Sequence, residues 1–238
     1  MSYVLELVGW LLSQTHWHGS DGIPARVLEH LALSGSGLLI ATLVALPLGL
    51  YLGHTGRGAF LAINAANVGR ALPSFAVLAL VLPLAFRLGL GLGYWPTVLM
   101  LVPLGIPLIL INTYVAIRSV EADTLEVARG LGMNEWQVLR QVELPLAAGL
   151  IVGGVRNAAV TIVATATLGA IVASGGLGRY IVDGLGRQEV GRLLAGALLV
   201  ALLSSATEVV FGLVERLLVP AALRGERHAG VAVPLGTR

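Results

Sequence analysis

Long apolar runs, cut by short polar breaks, dominate the pattern along this chain. A helix needs about 20 mostly apolar residues to cross about 30 Å of hydrocarbon. Five runs reach that length: Leu28–Leu52, Phe60–Phe86, Trp95–Ile117, Leu146–Ala173 and Leu193–Val214, the second interrupted by Arg70 and Pro73. The prolines inside them (Pro47, Pro73, Pro83, Pro103 and Pro107) do not argue against helices, because neighbouring helices can satisfy the freed backbone groups. Met1–Leu12 is apolar but too short to span, and reads as an interfacial helix, a sixth membrane segment being the alternative. The first 20 residues carry no basic region and no Ala-x-Ala-like site of a cleaved signal peptide. The pattern predicts an all-α integral membrane protein: an N-terminal extension over 1–27, a membrane domain over 28–218, and a flexible tail over 219–238 that lacks periodicity.

Composition agrees. Of 238 residues, 56% are hydrophobic and 12% charged, whereas an ordinary soluble domain has about 25% charged residues. So little charge cannot cover a water-soluble globule of this size. The absence of cysteine excludes disulfides and thiolate chemistry. All 15 basic residues are arginines and the net charge is +2, too weak for a nucleic-acid footprint. Five spans put the termini on opposite sides. One side would hold Arg57, Arg118, Arg129, Arg140, Arg216, Arg224, Arg227 and Arg238, and the other Arg26, Arg87, Arg179, Arg187 and Arg192. The richer side is expected to be cytoplasmic, which places the N-terminus outside and the C-terminus inside.

The segment between spans three and four, 118–145, carries most of the information. Glu121, Asp123, Glu126, Glu135 and Glu143 break the apolar run. Asp123 and Glu126 have capping-box spacing for a helix starting at Thr124, and Gly132 suits the left-handed position that ends it. Asn134 with Gln137 signals a second start, and Pro145 the beginning of the next membrane helix. The expected form is a helix–turn–helix, with apolar stripes of Leu125, Ala128 and Leu131 on the first piece and Trp136, Leu139 and Val142 on the second. Such a knob suits a groove on a soluble partner.

The same segment resembles the EAA motif of bacterial ABC importer permeases: Glu-Ala-Ala, three residues, Gly, nine residues, Ile, one residue, Leu-Pro. Here it runs Glu126, Val127, Ala128, Gly132, Val142, Leu144 and Pro145, with valine replacing Ala and Ile at two positions. Further stretches resemble the osmoprotectant subfamily for glycine betaine, carnitine and choline: Arg70-Ala-Leu-Pro-Ser-Phe-Ala-Val-Leu-Ala79, Ala166-Thr-Leu-Gly-Ala170 and Ser174-Gly-Gly-Leu-Gly-Arg-Tyr-Ile181. The resemblance implies a five-transmembrane-helix type I ABC importer permease core with a cytoplasmic coupling loop in a bacterial cell membrane. It also implies a second permease copy or close homologue, two ATPase subunits and a separate substrate-binding protein. ATP and Mg would belong to the ATPases. This chain has no phosphate-binding loop and no lysine to build one, so it should bind no cofactor itself. Glu126 would make a polar contact with the ATPase and Gly132 the turn, with Val127, Ala128, Leu144 and Pro145 completing the coupling motif.

Polar residues inside the spans are costly and face a partner or a water-filled cavity. Asn64, Asn67 and Arg70 form a stripe on span two, followed by Ser74, while Arg156, Asn157, Thr161 and Thr165 lie on span four. One reading has them line a translocation path. The other has them bond between helices, with Arg156 snorkelling or pairing with Glu208. Ser174–Gly178 follows a membrane helix, not a strand, and reads as a flexible external turn. His16 and His18 are two residues near a terminus, too few for a metal site, and read as a solvated or interfacial pair. Tyr94, Trp95 and Tyr180 are expected at the outer membrane interface. Methionine or another small zwitterion is the alternative cargo. An intramembrane enzyme lacks any motif to support it.

Overall fold

The computed structural model describes residues 2–218; the tail 219–238 lies outside the described residues. Among the described residues ten α-helices follow one another: α1 Ser2–Leu12, α2 Ile23–Thr55, α3 Ala59–Ala71, α4 Ser74–Arg87, α5 Tyr94–Arg118, α6 Ala122–Gly130, α7 Glu135–Val138, α8 Leu144–Thr165, α9 Gly178–Arg187 and α10 Val190–Leu218. A π-turn over Leu139–Glu143 joins α7 to α8, and a 3₁₀ stretch over Ala166–Val172 extends α8.

Among the described residues, four helical stretches are long and apolar enough to cross a membrane: Ile23–Thr55, Tyr94–Arg118, Glu135–Val172 and Val190–Leu218. The expected second span is not one of them. It is divided into α3 and α4, because Pro73 has no N–H to give and forces Leu72 into extended backbone, φ −73° and ψ 127°. Pro47, Pro103 and Pro107 stay inside α2 and α5. The first span, α2, starts at Ile23, five residues before the sequence boundary.

α5 is the centre. α2 and α8 pack on it along their length, α3 and α4 lean against it, and α10 lies outside α8. α9 and α1 pack on α10. Small residues set the closest approach. Gly37, Ala41, Ala45, Gly49 and Gly53 recur every fourth position of α2 and all are buried. A Cβ added at Gly37, Gly49 or Gly53 would lie 2.8, 2.7 or 2.7 Å from the Cβ of Leu101, Thr113 or Ile117 on α5. Such stripes let helix backbones approach closely where apolar burial alone cannot drive association. Gly154 does the same on the other side, where an added Cβ would lie 2.5 Å from Asn112 Cβ. The outer surface keeps large apolar side chains exposed, Leu43, Leu80, Leu202 and Val209 among them, as a hydrocarbon solvent requires.

Candidate functional site

Two clusters of polar side chains sit at opposite ends of α2. The loop end is the one that carries 118–145. There α6 starts at Ala122 with Glu121 as N-cap, not at Thr124, and Glu121 makes no side-chain cap bond. Asp123 therefore lies in the first turn, where its charge favours the helix N-terminus without capping it. The other end of α6 follows the sequence closely. Gly132 has φ +86°. Its N–H donates to Arg129 O at 2.9 Å, and that of Met133 to Ala128 O at 3.3 Å, the paired bonds of a Schellman turn. α7 begins with a complete capping box: Gln137 N–H to Asn134 Oδ1 at 2.9 Å and Asn134 N–H to Gln137 Oε1 at 2.8 Å.

The two apolar stripes are covered only in part by the rest of the chain. Ala128 is buried and Leu125 half-buried, but Leu131 is 80% exposed beside Val127 at 63%. On the second piece Val138 is the buried residue and Trp136 is 65% exposed. A short helix held only at one side cannot bury every apolar position, so the tip presents Val127, Leu131 and Trp136 outward, with Glu126 exposed among them. Pro145 lies in the first turn of α8, as its position in the sequence suggested, and the chain does not break before it. It runs on as one helix because the wide turn before it takes up the missing N–H: Leu144 N–H bonds Leu139 O, five residues back. Leu144 packs with Ala116, Ile117, Ala147 and Ile151, while Pro145 is exposed.

That turn places Glu143 inward, 2% exposed. His54, near the end of α2, stands between two carboxylates. Its Nδ1 is 2.7 Å from Glu143 Oε2 and its Nε2 3.3 Å from Glu135 Oε2. Arg129 on α6 closes the chain, with Nε donating to Glu135 Oε1 at 2.9 Å and Nη2 to Oε2 at 3.1 Å. That hydrogen bond holds the Arg129 guanidinium above its usual range.

At the far end of α2, His30 is fully buried. Its Nε2 donates to Val163 O at 2.8 Å and its Nδ1 accepts from Leu177 N–H at 3.3 Å, which fixes the neutral tautomer. Gly176 N–H donates to Glu29 Oε2 at 2.8 Å, and Arg26 bonds the same oxygen at 2.8 Å and pairs with Asp21. The 174–178 turn is therefore tied to α2, where a flexible turn was expected. Gly176 has φ +86°, and a Cβ at Gly178 would lie 2.3 Å from Thr167 O. Tyr180 is buried within the protein and donates to Asp21 O at 2.6 Å. Burial pushes its hydroxyl up to about 12, so it remains a donor. Tyr94 and Trp95 are exposed and meet edge to face. His16 stacks on Trp10 with centroids 4.0 Å apart.

The candidate path residues lie on separate helices. Asn64 and Asn67 are exposed on α3, Asn64 bonding Phe60 O of its own helix. The side chain of Arg70 lies outside the described residues. Ser74 opens α4, half-buried. Asn157 and Thr161 are exposed on α8, Thr161 bonding Asn157 O, and Thr165 is half-buried. Arg156 instead turns to α10, with Nε 3.4 Å from Glu208 and Nη1 3.0 Å from Glu215. That is the interhelical pairing the sequence offered as an alternative, extended to a second carboxylate.

Residues 39–220 match the family described as "Binding-protein-dependent transport system inner membrane component". The chain belongs to that family. It is 34% identical to the carnitine transport permease protein OpuCB of Listeria monocytogenes over 85% of this chain and 90% of that one. It is 36% identical to the choline transport system permease protein OpuBB of Bacillus subtilis, covering 84% and 89%. The osmoprotectant import permease protein OsmW of Salmonella typhimurium is 30% identical over 93% and 98%. The fold is that of a chain in an inward-facing MetNI methionine ABC transporter, at TM-score 0.73, 21% identity, and coverage of 83% and 96%. In this inner membrane component the segment that resembles the EAA motif lies over α6, α7 and the turn after them, with Glu126, Val127, Leu131 and Trp136 exposed.

Sequence reading passed over four of the transport component's polar residues. His30 and Glu29 gave no signal that tied them to 163 or 176. Glu143 was one charge among five, and His54 stood alone after an apolar run. A small residue at every fourth position from Gly37 to Gly53 was legible and would have pointed to α2 as a helix packed tightly on another.

Proposed function

We propose that this chain is the membrane-spanning permease subunit of an ATP-driven importer for a small osmoprotectant such as glycine betaine, carnitine or choline. The observation that carries this is the tip of 122–136. Val127, Leu131 and Trp136 are exposed on a scaffold fixed by a Schellman turn and a capping box, at the place where the family motif lies. Large apolar groups at the tip of a charged loop suit a groove on a soluble protein better than water. Two ATPase subunits would take the tips of two permease copies, and a separate binding protein would deliver the solute. ATP and Mg are bound and used on the ATPases.

Five crossings result when α3 and α4 together count as one, bent at Leu72–Pro73. The N-terminus is then outside and 118–145 is cytoplasmic, in agreement with the excess of arginine on that side. α1 lies in the interface, its Tyr3, Leu5 and Leu12 exposed. Movement of the tip would swing the bundle between inward-open and outward-open states. Asn64, Asn67, Arg70, Ser74, Asn157, Thr161 and Thr165 would line the path; exposed amides and hydroxyls on apolar helices favour water or a second chain over lipid. Arg156 would hold α8 to α10 beside it. The osmoprotectant class comes from the names of the relatives.

Reconstitution with the ATPase and binding protein encoded beside this chain tests the reading. Glycine betaine, carnitine, choline and methionine are scanned for stimulated ATP turnover. Stimulation by a quaternary ammonium solute is the expected result, and stimulation by methionine alone would move the cargo to amino acids. Gly132→Asp should leave insertion intact, because a Cβ there meets open space, yet distort the turn at its positive φ and uncouple hydrolysis from uptake. Full uptake by that variant would remove the lever role.

A further inference from the structure

The EAA segment has two routes into the bundle. One is covalent: Glu135–Val172 is helical throughout, so movement of α7 reaches α8 directly. The other runs to α2 and is not covalent. α6 packs on α7. Between it and the ends of α2 and α5 lies a cavity of about 370 Å³, lined by His54, Arg118, Leu125, Arg129 and Glu143. Close packing is thin there, and a chain of charged groups spans the gap: Arg129 to Glu135, Glu135 to His54, His54 to Glu143.

We propose that His54 is a positioning residue that latches the 122–143 segment to the end of α2 through Glu143 and Glu135. Both imidazole nitrogens face carboxylate oxygens, and Nδ1 with Glu143 Oε2 at 2.7 Å forms the hydrogen bond of the pair. Glu143 is 3% exposed at its side chain and His54 13%, so this pair is sheltered from water, while Glu135 at 59% is the outer, weaker arm. The π-turn is part of the device. Pro145 would clash with the carbonyl four residues back in a regular helix, and the widened turn relieves the clash and turns Glu143 toward His54. From Gly53 inward, α2 is locked to α5 by the small-residue ladder, so whatever holds His54 holds a rigid rod. The latch makes α2 and α8 follow the segment together. This rests on the reading that the tip docks on an ATPase, and it adds which helix receives the motion.

The chain has no cysteine, so spin labels can be placed at will. Thr124→Cys on α6 and Tyr51→Cys on α2, both exposed, report the distance across the latch in the permease–ATPase complex in nanodiscs. The double variant His54→Leu/Glu143→Leu removes the latch and keeps the site filled, since apolar replacement of a buried ion pair is commonly neutral for folding. Its label-distance distribution is expected to broaden roughly twofold, with an unchanged thermal midpoint. Glu135→Gln, exposed and safe for folding, should broaden it less. A distribution as narrow as wild type in the leucine pair overturns the latch, and so does a lowered midpoint with unchanged width, which would make His54 merely stabilising. Failure of the wild-type chain to capture any ATPase would sink the docking reading instead, and leaves the distance measurement intact in the permease alone.

Discussion

The two ends of α2 use the same residue type for different ends. His30 is buried and bonds only backbone, the Val163 carbonyl and the Leu177 N–H. His54 is partly open and meets only side chains, the carboxylates of Glu143 and Glu135. At 1.5 Å per residue the two are about 36 Å apart, the thickness of a bilayer core with a little to spare. Backbone partners belong to the fold and cannot leave without unfolding something. Carboxylates on a loop can move with that loop. One end of α2 is thus a fixed joint and the other an adjustable one.

The largest effect tests the fixed joint. His30→Ala would leave a buried N–H and carbonyl without partners and open a void, lowering stability by about 3–5 kcal/mol. The thermal midpoint in detergent should fall and amide exchange at Gly176 and Leu177 should quicken; an unmoved midpoint would erase the contrast. Gly178→Ala comes next. Its Cβ would press on the Thr167 carbonyl, a backbone atom that cannot swing away, and the cost should be about 1–3 kcal/mol in the same assay. At the adjustable joint the order reverses between stability and mechanics. His54→Leu/Glu143→Leu should stay within about 1 kcal/mol of wild type or exceed it in chemical denaturation, while loosening the tip. The smallest effect belongs to Arg129→Ala. That residue is 45% exposed at its side chain, and an exposed ion pair contributes under about 1 kcal/mol. A loss much larger than that in a denaturant titration would mean that Arg129 belongs to the core of the latch, not its rim.

The fold and site were legible to different depths. Spans α2, α5, α8 and α10 followed from apolar length alone, because hydrocarbon imposes a length on any helix that crosses it. Span two failed as a single helix although Pro73 was noted inside it, since nothing local decides whether neighbours will hold a proline-broken helix together. The Asn134–Gln137 capping box and the Gly132 turn were legible because each is a bond between residues three to five apart. The start at Ala122 was not, for Asp123 and Glu121 are both adequate neighbours of a helix N-terminus. The period put Leu125, Ala128 and Leu131 on one stripe, but which of them the rest of the chain covers depends on packing: Ala128 is buried and Leu131 exposed.

Local chemistry decided where this chain turns, where it is apolar enough to enter a bilayer, and which loop bears the EAA-like pattern. What it could not contain is which residues far apart in the chain would be brought within 3 Å: His54 with Glu143, His30 with Val163, Glu29 with Gly176. Turns and spans depend on energies that a few neighbouring residues set by themselves. The two joints of α2 depend on where α5 lets it lie, and that is decided by glycines packing against a helix some sixty residues away.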